Sequence, residues 1–218
     1  MSFMEGLSLK VKSPQCVSSR LYLIADTQVE NLVSKVEEAL AAGITAVRLR
    51  DHHSTVRETL SLARKLRDAT DRVGAAFFVT DRLDLMWTTT ADGIHVPEEG
   101  APVKTLRPHI PHRLIGKSVH TLEGAVQAEK DGADFITYSP IFETPSKKGI
   151  LEPRGLNALR DVCEVISIPV FALGGMTPER AKLALEAGAY GVALIRAVLE
   201  APSIRDAVSE FRSILGEL

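Results

Sequence analysis

The sequence predicts a single-domain α/β protein folded as a (β/α)₈ (TIM) barrel. Short apolar, β-branched runs alternate with longer amphipathic stretches, and the alternation supplies eight candidate strands. No Pro/Ser-rich linker or low-complexity tract divides the chain. Strands that alternate with helices form a parallel sheet, and eight such units close it into a barrel. An open doubly wound sheet is the rival, but no G-x-G-x-x-G turn follows the first run. Residues 1–19 read as an N-terminal extension and residues 20–218 as the barrel.

The strand candidates are Leu21–Ala25, Ala46–Arg50, Ala76–Thr80, Gly93–Val96, Leu114–Val119, Phe135–Ser139, Pro169–Leu173 and Gly191–Ile195. Their β-branched and aromatic content suits a pleated, buried surface. Helical stretches are expected over Val29–Ala42, Thr55–Ala69, Thr121–Lys130, Asn157–Val165, Pro178–Ala187 and Ser203–Leu215. Leu83–Thr89 is short, and Val103–Arg107 is hemmed in by Pro102 and Pro108. Thr177-Pro178-Glu179 is a clear helix start, with a Thr cap, Pro at the first helical position and an early acid. Gly43, Gly132 and Gly188 each follow a helical stretch, where a left-handed cap favours glycine.

Composition excludes several classes. The 218 residues carry 26 Lys+Arg against 28 Asp+Glu, a formal net charge of −2, which argues against a phosphate-backbone or membrane-surface ligand. Hydrophobic residues make up 45% and charged residues 25%, the profile of a globular chain that buries a core without staples. Cys16 and Cys163 form neither a C-x-x-C nor a metal spacing. The longest apolar runs reach only about five residues, and the first nineteen lack a secretion-signal core. The expected setting is the cytoplasm, with no nucleic-acid or membrane partner; a homo-oligomer is left open.

In such a barrel, chemistry belongs at the C-terminal ends of the strands. Strand two reads Val47-Arg48-Leu49-Arg50, and alternation puts Arg48 and Arg50 on the inward face. Two guanidiniums there need anions: either Asp26 and Asp81, which also end strands, or a ligand phosphate. Lone His95 reads as a hydrogen-bonded core residue. Ser118 and His120 share a face of strand five, with His120 beside a helix N-terminus that disfavours imidazolium. His120 is a candidate base, or merely a helix cap. Ser139 opens the loop Ser139–Gly149, whose Thr144, Ser146 and Lys147 suit a phosphate-bearing substrate or a solvated surface. Gly174 and Gly175 after strand seven, with Ile195 and Arg196 before a short helix, match the recurrent phosphate site of barrels. The strongest inference from these residues alone is a phosphorylated ligand.

Together these stretches resemble the thiamine phosphate synthase/TenI family, over about Leu21 to Leu199. Gly116-Lys117-Ser118-Val119-His120, Phe142-Glu143-Thr144, Lys147-Lys148-Gly149 and Gly174-Gly175-Met176-Thr177-Pro178 are most similar to the TenI branch. Its thiazole tautomerases aromatise a thiazole carboxylate phosphate without a cofactor; the resemblance implies His120 as the base. The synthase branch couples hydroxymethylpyrimidine diphosphate to thiazole phosphate with magnesium. Its Gln-Leu-Arg-x-Lys reads Arg48-Leu49-Arg50-Asp51-His52 here, and its Asn-Asp-Arg reads Thr80-Asp81-Arg82, keeping Asp81 as the magnesium candidate. Gly100 stands where a second metal aspartate is expected, and Arg196 where a serine is expected; the Thr-x-Thr-Lys loop survives as Thr144-Pro145-Ser146-Lys147. Glu98 and Glu99 lie close to Gly100, but one residue moves a carboxylate about 3.3 Å along a strand.

The resemblance therefore implies a thiamine-biosynthetic enzyme acting on a small thiazole phosphate. The leading expectation is the cofactor-free, metal-free tautomerase, with Arg50 on the substrate carboxylate. The alternatives are the magnesium-dependent synthase, or a member that binds a thiazole or thiamine phosphate as a regulator without turnover.

Overall fold

In a computed structural model describing residues 19–51, 53–144 and 151–217, eight parallel strands close in chain order, each bonded to the next and the eighth to the first. They are β1 (Leu21–Asp26), β2 (Ala46–Arg50), β3 (Ala76–Thr80), β4 (Gly93–Val96), β5 (Leu114–Val119), β6 (Phe135–Tyr138), β7 (Val170–Leu173) and β8 (Gly191–Leu194). The helices among the described residues are α1 (Leu32–Ala41), α2 (Val56–Val73), α3 (Leu83–Thr89), α4 (Val103–Leu106), α5 (Leu122–Lys130), α6 (Gly155–Val165), α7 (Pro178–Glu186), α8 (Arg196–Leu199) and α9 (Ile204–Leu215). Most of the expected N-terminal extension, including Cys16, and the candidates Ser146 and Lys147 lie outside the described residues. No helix among those described is long and apolar enough to cross a membrane.

Side-chain alternation sorts each strand into two cores. Outward residues such as Leu23, Val47, Phe77, Ile94, Ile115 and Val192 pack under the helices. Inward residues Tyr22, Phe78, Phe135 and Phe171 fill the barrel. Tyr22 meets Phe78 and Phe135 edge-on at centroid distances of 5.6 and 5.5 Å, the geometry aromatic quadrupoles prefer. Two residues further along β2, β3, β5 and β6 the interior turns polar: Arg48, Thr80, Ser118 and Thr137 follow Ala46, Phe78, Gly116 and Phe135. An aromatic plug thus floors a polar mouth.

Local signals hold the helices in place. The hydroxyls of Thr55, Thr121, Thr177 and Ser203 each accept a backbone N–H in the first turn, worth about 1 kcal/mol apiece. Gly43, Gly132 and Gly188 adopt φ of 110°, 91° and 99° after their helices. Several boundaries differ from the sequence pattern. Helix α1 begins at Leu32, not Val29, because Asn31 is left-handed at φ 54°. Helix α2 runs four residues past Ala69 and stops at Gly74, φ 72°. After Leu106 the chain tightens into a 3₁₀ turn over Arg107–His109, since Pro108 has no N–H for the α ladder. Strands β6 and β8 end one residue early, leaving Ser139 and Ile195 in the loops that bound the mouth.

Candidate active site

The mouth is lined by the strand ends. The register pairs Asp26 with Arg50 across β1 and β2, and their side chains form a salt bridge. Arg50 is therefore already neutralised within the protein. Arg48, one pair earlier, is only 4% exposed and donates its Nε to Thr80 Oγ1 at 3.0 Å. Burial pushes its pKa down to about 10, against the pull of Tyr22, Asp26 and Asp81. The two arginines that alternation turns inward thus have different partners.

Below them His95 is fully buried, as a core histidine should be. Its Nε2 lies 3.0 Å from Ser118 Oγ and 3.3 Å from Thr137 Oγ1, and its Nδ1 lies 3.4 Å from the Tyr22 hydroxyl. Burial first, then Arg48 and Lys117, holds its pKa well below the usual imidazole range, so it stays neutral. Ser118 is thereby tied to the interior network.

His120 occupies the β5 end. Its Nδ1–H donates to the Ser139 carbonyl, which fixes the tautomer and leaves Nε2 as the acceptor. Nε2 lies 3.5 Å from Glu98 Oε2, while Glu98 Oε1 accepts the His120 backbone N–H at 3.1 Å. Thr121, not His120, caps helix α5 through its hydroxyl. The side chain of His120 is thus free of the capping duty that rivalled catalysis. Sequence reading missed Lys117 and the role of Glu98. Lys117 sits on the outward face between Ile115 and Val119, yet its Nζ donates to the carbonyls of Pro97 and Glu98 at 2.6 and 2.8 Å. A lysine among outward apolar positions was the available signal. Lys117 anchors the loop that presents Glu98 to His120.

Across the mouth, Gly174 and Gly175 adopt φ of 106° and 62°. A Cβ on Gly175 would stand 2.5 Å from the Glu143 carbonyl oxygen, and one on Gly174 would stand 2.9 Å from Pro140. The turn thus admits only glycine, and it seats closely on the loop after β6. Arg180 Nη1 holds the Gly175 carbonyl at 2.7 Å, with its guanidinium 4.7 Å over the Phe142 ring. Ile195 precedes the first turn of α8, and its carbonyl accepts the N–H groups of Val198 and Leu199 at 3.3 and 2.9 Å. Arg196 is exposed and lies 3.7 Å from Glu200, a surface pair of little energetic weight. Thr144, the last described residue after β6 before residue 151, is partly exposed.

Asp81 lies at the end of β3 in a left-handed conformation, φ 51°, exposed at the rim. Ala101 N–H donates to its carboxylate; desolvation by its neighbours raises its pKa, opposed by Lys117 and Arg48. A Cβ on Gly100 would come within 2.9 Å of Asp81 Oδ1, so the glycine keeps the space beside that oxygen open. Among the described residues no group of three or more His, Cys, Asp or Glu side chains is arranged to hold a metal. One open carboxylate nevertheless fits magnesium, which takes one or two carboxylates and draws its other ligands from water and substrate phosphates.

A family model described as thiamine monophosphate synthase (TMP-TENI) matches residues 21–198, which includes all eight strands. The chain belongs to the thiamine monophosphate synthase/TenI family of thiamine biosynthesis. Within it, the chain is 36% identical over 199 residues to a thiamine-phosphate synthase of Pyrococcus abyssi, covering 91% of this chain and 96% of that one. It is also 36% identical over 202 residues to a thiamine-phosphate synthase of Chloroflexus aurantiacus, covering 91% and 94%. A solved thiamine phosphate pyrophosphorylase from Pyrococcus furiosus superposes with a TM-score of 0.83 at 36% identity, covering 91% and 96%. These relatives carry the synthase name. The tautomerase expectation draws no support from them.

Proposed function

We propose that the protein is an enzyme of thiamine biosynthesis and that its reaction is the one its relatives are named for, the coupling of hydroxymethylpyrimidine diphosphate with thiazole phosphate. In that reaction the thiazole nitrogen lone pair forms a bond to the pyrimidine methylene carbon. The bond from that carbon to the diphosphate oxygen breaks, and diphosphate leaves with the electron pair. The observation that carries this reading is 36% identity over nine tenths of the chain to synthases, on a barrel that superposes at 0.83.

The residues divide the work. Gly174, Gly175 and the N–H groups around Ile195 and Arg196 receive the thiazole phosphate. Thr144, Ser146 and Lys147 face the diphosphate in this assignment, and Asp81 is the residue that would hold magnesium. Magnesium, when bound, supplies positive charge to a departing diphosphate. The aromatic plug and buried His95 close the barrel interior and exclude water from below.

One observation favours a second reading, the tautomerase. The Ser139 carbonyl orients His120 so that Nε2 is the proton acceptor, with the Glu98 carboxylate beside it. An oriented imidazole with a carboxylate neighbour is equipped to remove a proton from a non-aromatic thiazole ring and return one. Purified protein decides between them. Given both synthase substrates with magnesium, the synthase forms thiamine phosphate and diphosphate, and chelation stops it. No coupling, together with EDTA-insensitive aromatisation of the thiazole carboxylate phosphate, would assign the tautomerase. Binding of these phosphates without turnover of either would leave a regulator.

A further inference from the structure

Strand β5 carries one charge on the face where its neighbours are apolar: Lys117 stands outward between Ile115 and Val119 and is half-buried. The register sets Lys117 beside Val96, the last residue of β4. Its stem therefore runs past the end of β4, and the ammonium meets the carbonyls of the next two residues, Pro97 and Glu98. The Pro97 carbonyl also accepts the Gly100 N–H at 2.9 Å, which closes the turn Pro97–Gly100. To that single backbone bond the lysine adds two charge-assisted ones from outside the turn. Desolvation pulls the Lys117 pKa down, opposed by Asp81, Glu98 and Glu99, so the ammonium carries a cost that an apolar side chain at this position would avoid.

Two arms leave that turn, and each reaches a group on which the chemistry depends. From its middle, the Glu98 carboxylate accepts the His120 N–H at 3.1 Å with Oε1 and lies 3.5 Å from the ring Nε2 with Oε2. From its far end, the Ala101 N–H donates to the Asp81 carboxylate, and Gly100 leaves open the space beside Asp81 Oδ1. Asp81 and His120 follow β3 and β5, the two strands that flank β4 in the barrel. The turn after β4 is thus bonded to both. The phosphate cradle lies at the ends of β7 and β8, across the barrel.

We propose that Lys117 is a positioning residue of the active site: from outside the mouth, its ammonium fixes the turn Pro97–Gly100 and, through it, the places of the His120 ring and the Asp81 carboxylate. This rests on the reading that the mouth is catalytic, and it holds whether the reaction is the coupling or the proton shift, because one arm serves each. Since the cradle is remote from the turn, Lys117 governs rate and leaves phosphate affinity alone.

The test compares the full-length wild type with Lys117→Met, which keeps the stem and removes the donors, and Lys117→Arg, which keeps the charge and can bond two carbonyls. Whichever reaction the wild type runs, kcat in Lys117→Met should fall about 10–100-fold, the loss that a displacement of roughly 1 Å brings. Its KM for the thiazole phosphate and its affinity for inorganic phosphate should stay close to wild type, and Lys117→Arg should recover most of kcat. Hydrogen exchange read by NMR supplies a signal independent of turnover. The His120 and Ala101 amides, bonded to Glu98 and Asp81, should exchange about tenfold faster or more in Lys117→Met, while amides inside the β5 ladder keep their protection. If Lys117→Met does not fold, Lys117→Gln, shorter and uncharged but still a donor, takes its place with a smaller fall of the same kind. A variant that melts lower but keeps wild-type kcat per folded molecule overturns the proposal and leaves a structural lysine. So does a fall in kcat with both amides exchanging as in wild type. A wild type that runs neither reaction defeats the catalytic reading of the mouth instead and takes this proposal with it.

Discussion

Replacing Gly175 by Ala separates two costs that the structure allows to be worked out independently. At φ 62° an L side chain is strained by roughly 1–2 kcal/mol. Gly155, at φ 76°, bears the same strain with nothing within 4 Å of a built Cβ, so Gly155→Ala measures strain alone. For a chain of this size, 1 kcal/mol lowers the melting temperature by about 2–4 °C. Gly175→Ala adds a contact of 2.5 Å to the Glu143 carbonyl oxygen and 3.0 Å to Phe142 Cβ. The nearest atom is backbone, which cannot swing aside, and overpacking of this kind costs about 1–3 kcal/mol more. Gly175→Ala should therefore melt about 4–20 °C below wild type. The two strands of the turn must also part, moving the amides that face the ligand, and inorganic phosphate should bind about tenfold more weakly, or roughly 1.4 kcal/mol. Thermal melts and a phosphate titration of the folded fraction read both. If Gly175→Ala melts with Gly155→Ala, the contact is illusory; if it binds phosphate like wild type, the glycine turn is not the cradle.

Three further outcomes are expected. His120→Asn keeps a hydrogen-bonding side chain of similar size at the rim, so its melting temperature should change little while any proton-shift activity on the carboxylated thiazole phosphate falls about 10²-fold or more; an undiminished rate removes His120 as the base. Asp81→Asn should abolish magnesium-dependent coupling while leaving inorganic phosphate binding intact, and coupling at the wild-type rate would dissociate Asp81 from the metal. His95 is neutral in the folded chain with its pKa well below the ordinary value of about 6.5, whereas the unfolded chain takes up a proton there. Stability should thus fall as pH drops below about 6.5, by up to roughly 1.4 kcal/mol per pH unit from this residue. Urea unfolding at pH 7 and pH 5.5 should show a smaller pH difference in His95→Asn, and an identical difference would show that His95 is not held neutral.

The fold was legible because its rules are local. Each strand is a short apolar run and most helices carry their own start or stop, so the eight-fold alternation survives errors of a few residues at the ends. Those errors have causes that pattern cannot express. Asn31 delays α1 by adopting a left-handed conformation that leaves no periodic mark, and Gly74 marks the end of α2 only once the polar Thr70-Asp71-Arg72 stretch is credited with continuing the helix. Arg67 illustrates the same limit. A charged residue on α2, it is nonetheless 6% exposed, bonded to Asp71 and Asp92 and lying 5.7 Å over the Phe77 ring.

The site was less legible, because its chemistry depends on which charges cancel. Period-two alternation correctly turned both Arg48 and Arg50 inward, but it cannot say which one meets a carboxylate. That follows from the register of β1 on β2, where Asp26 faces Arg50 and the apolar Ile24 faces Arg48. A two-residue shift of register would bring Asp26 opposite Arg48 instead. Arg50, expected to meet a substrate carboxylate, is already paired inside the protein, whereas the more deeply buried Arg48 has only the neutral Thr80 hydroxyl as its hydrogen-bond partner among the described residues. Lys117 makes the same point from the other side: its charge looks available in the sequence, but two carbonyls hold it in place to fix the loop of Glu98.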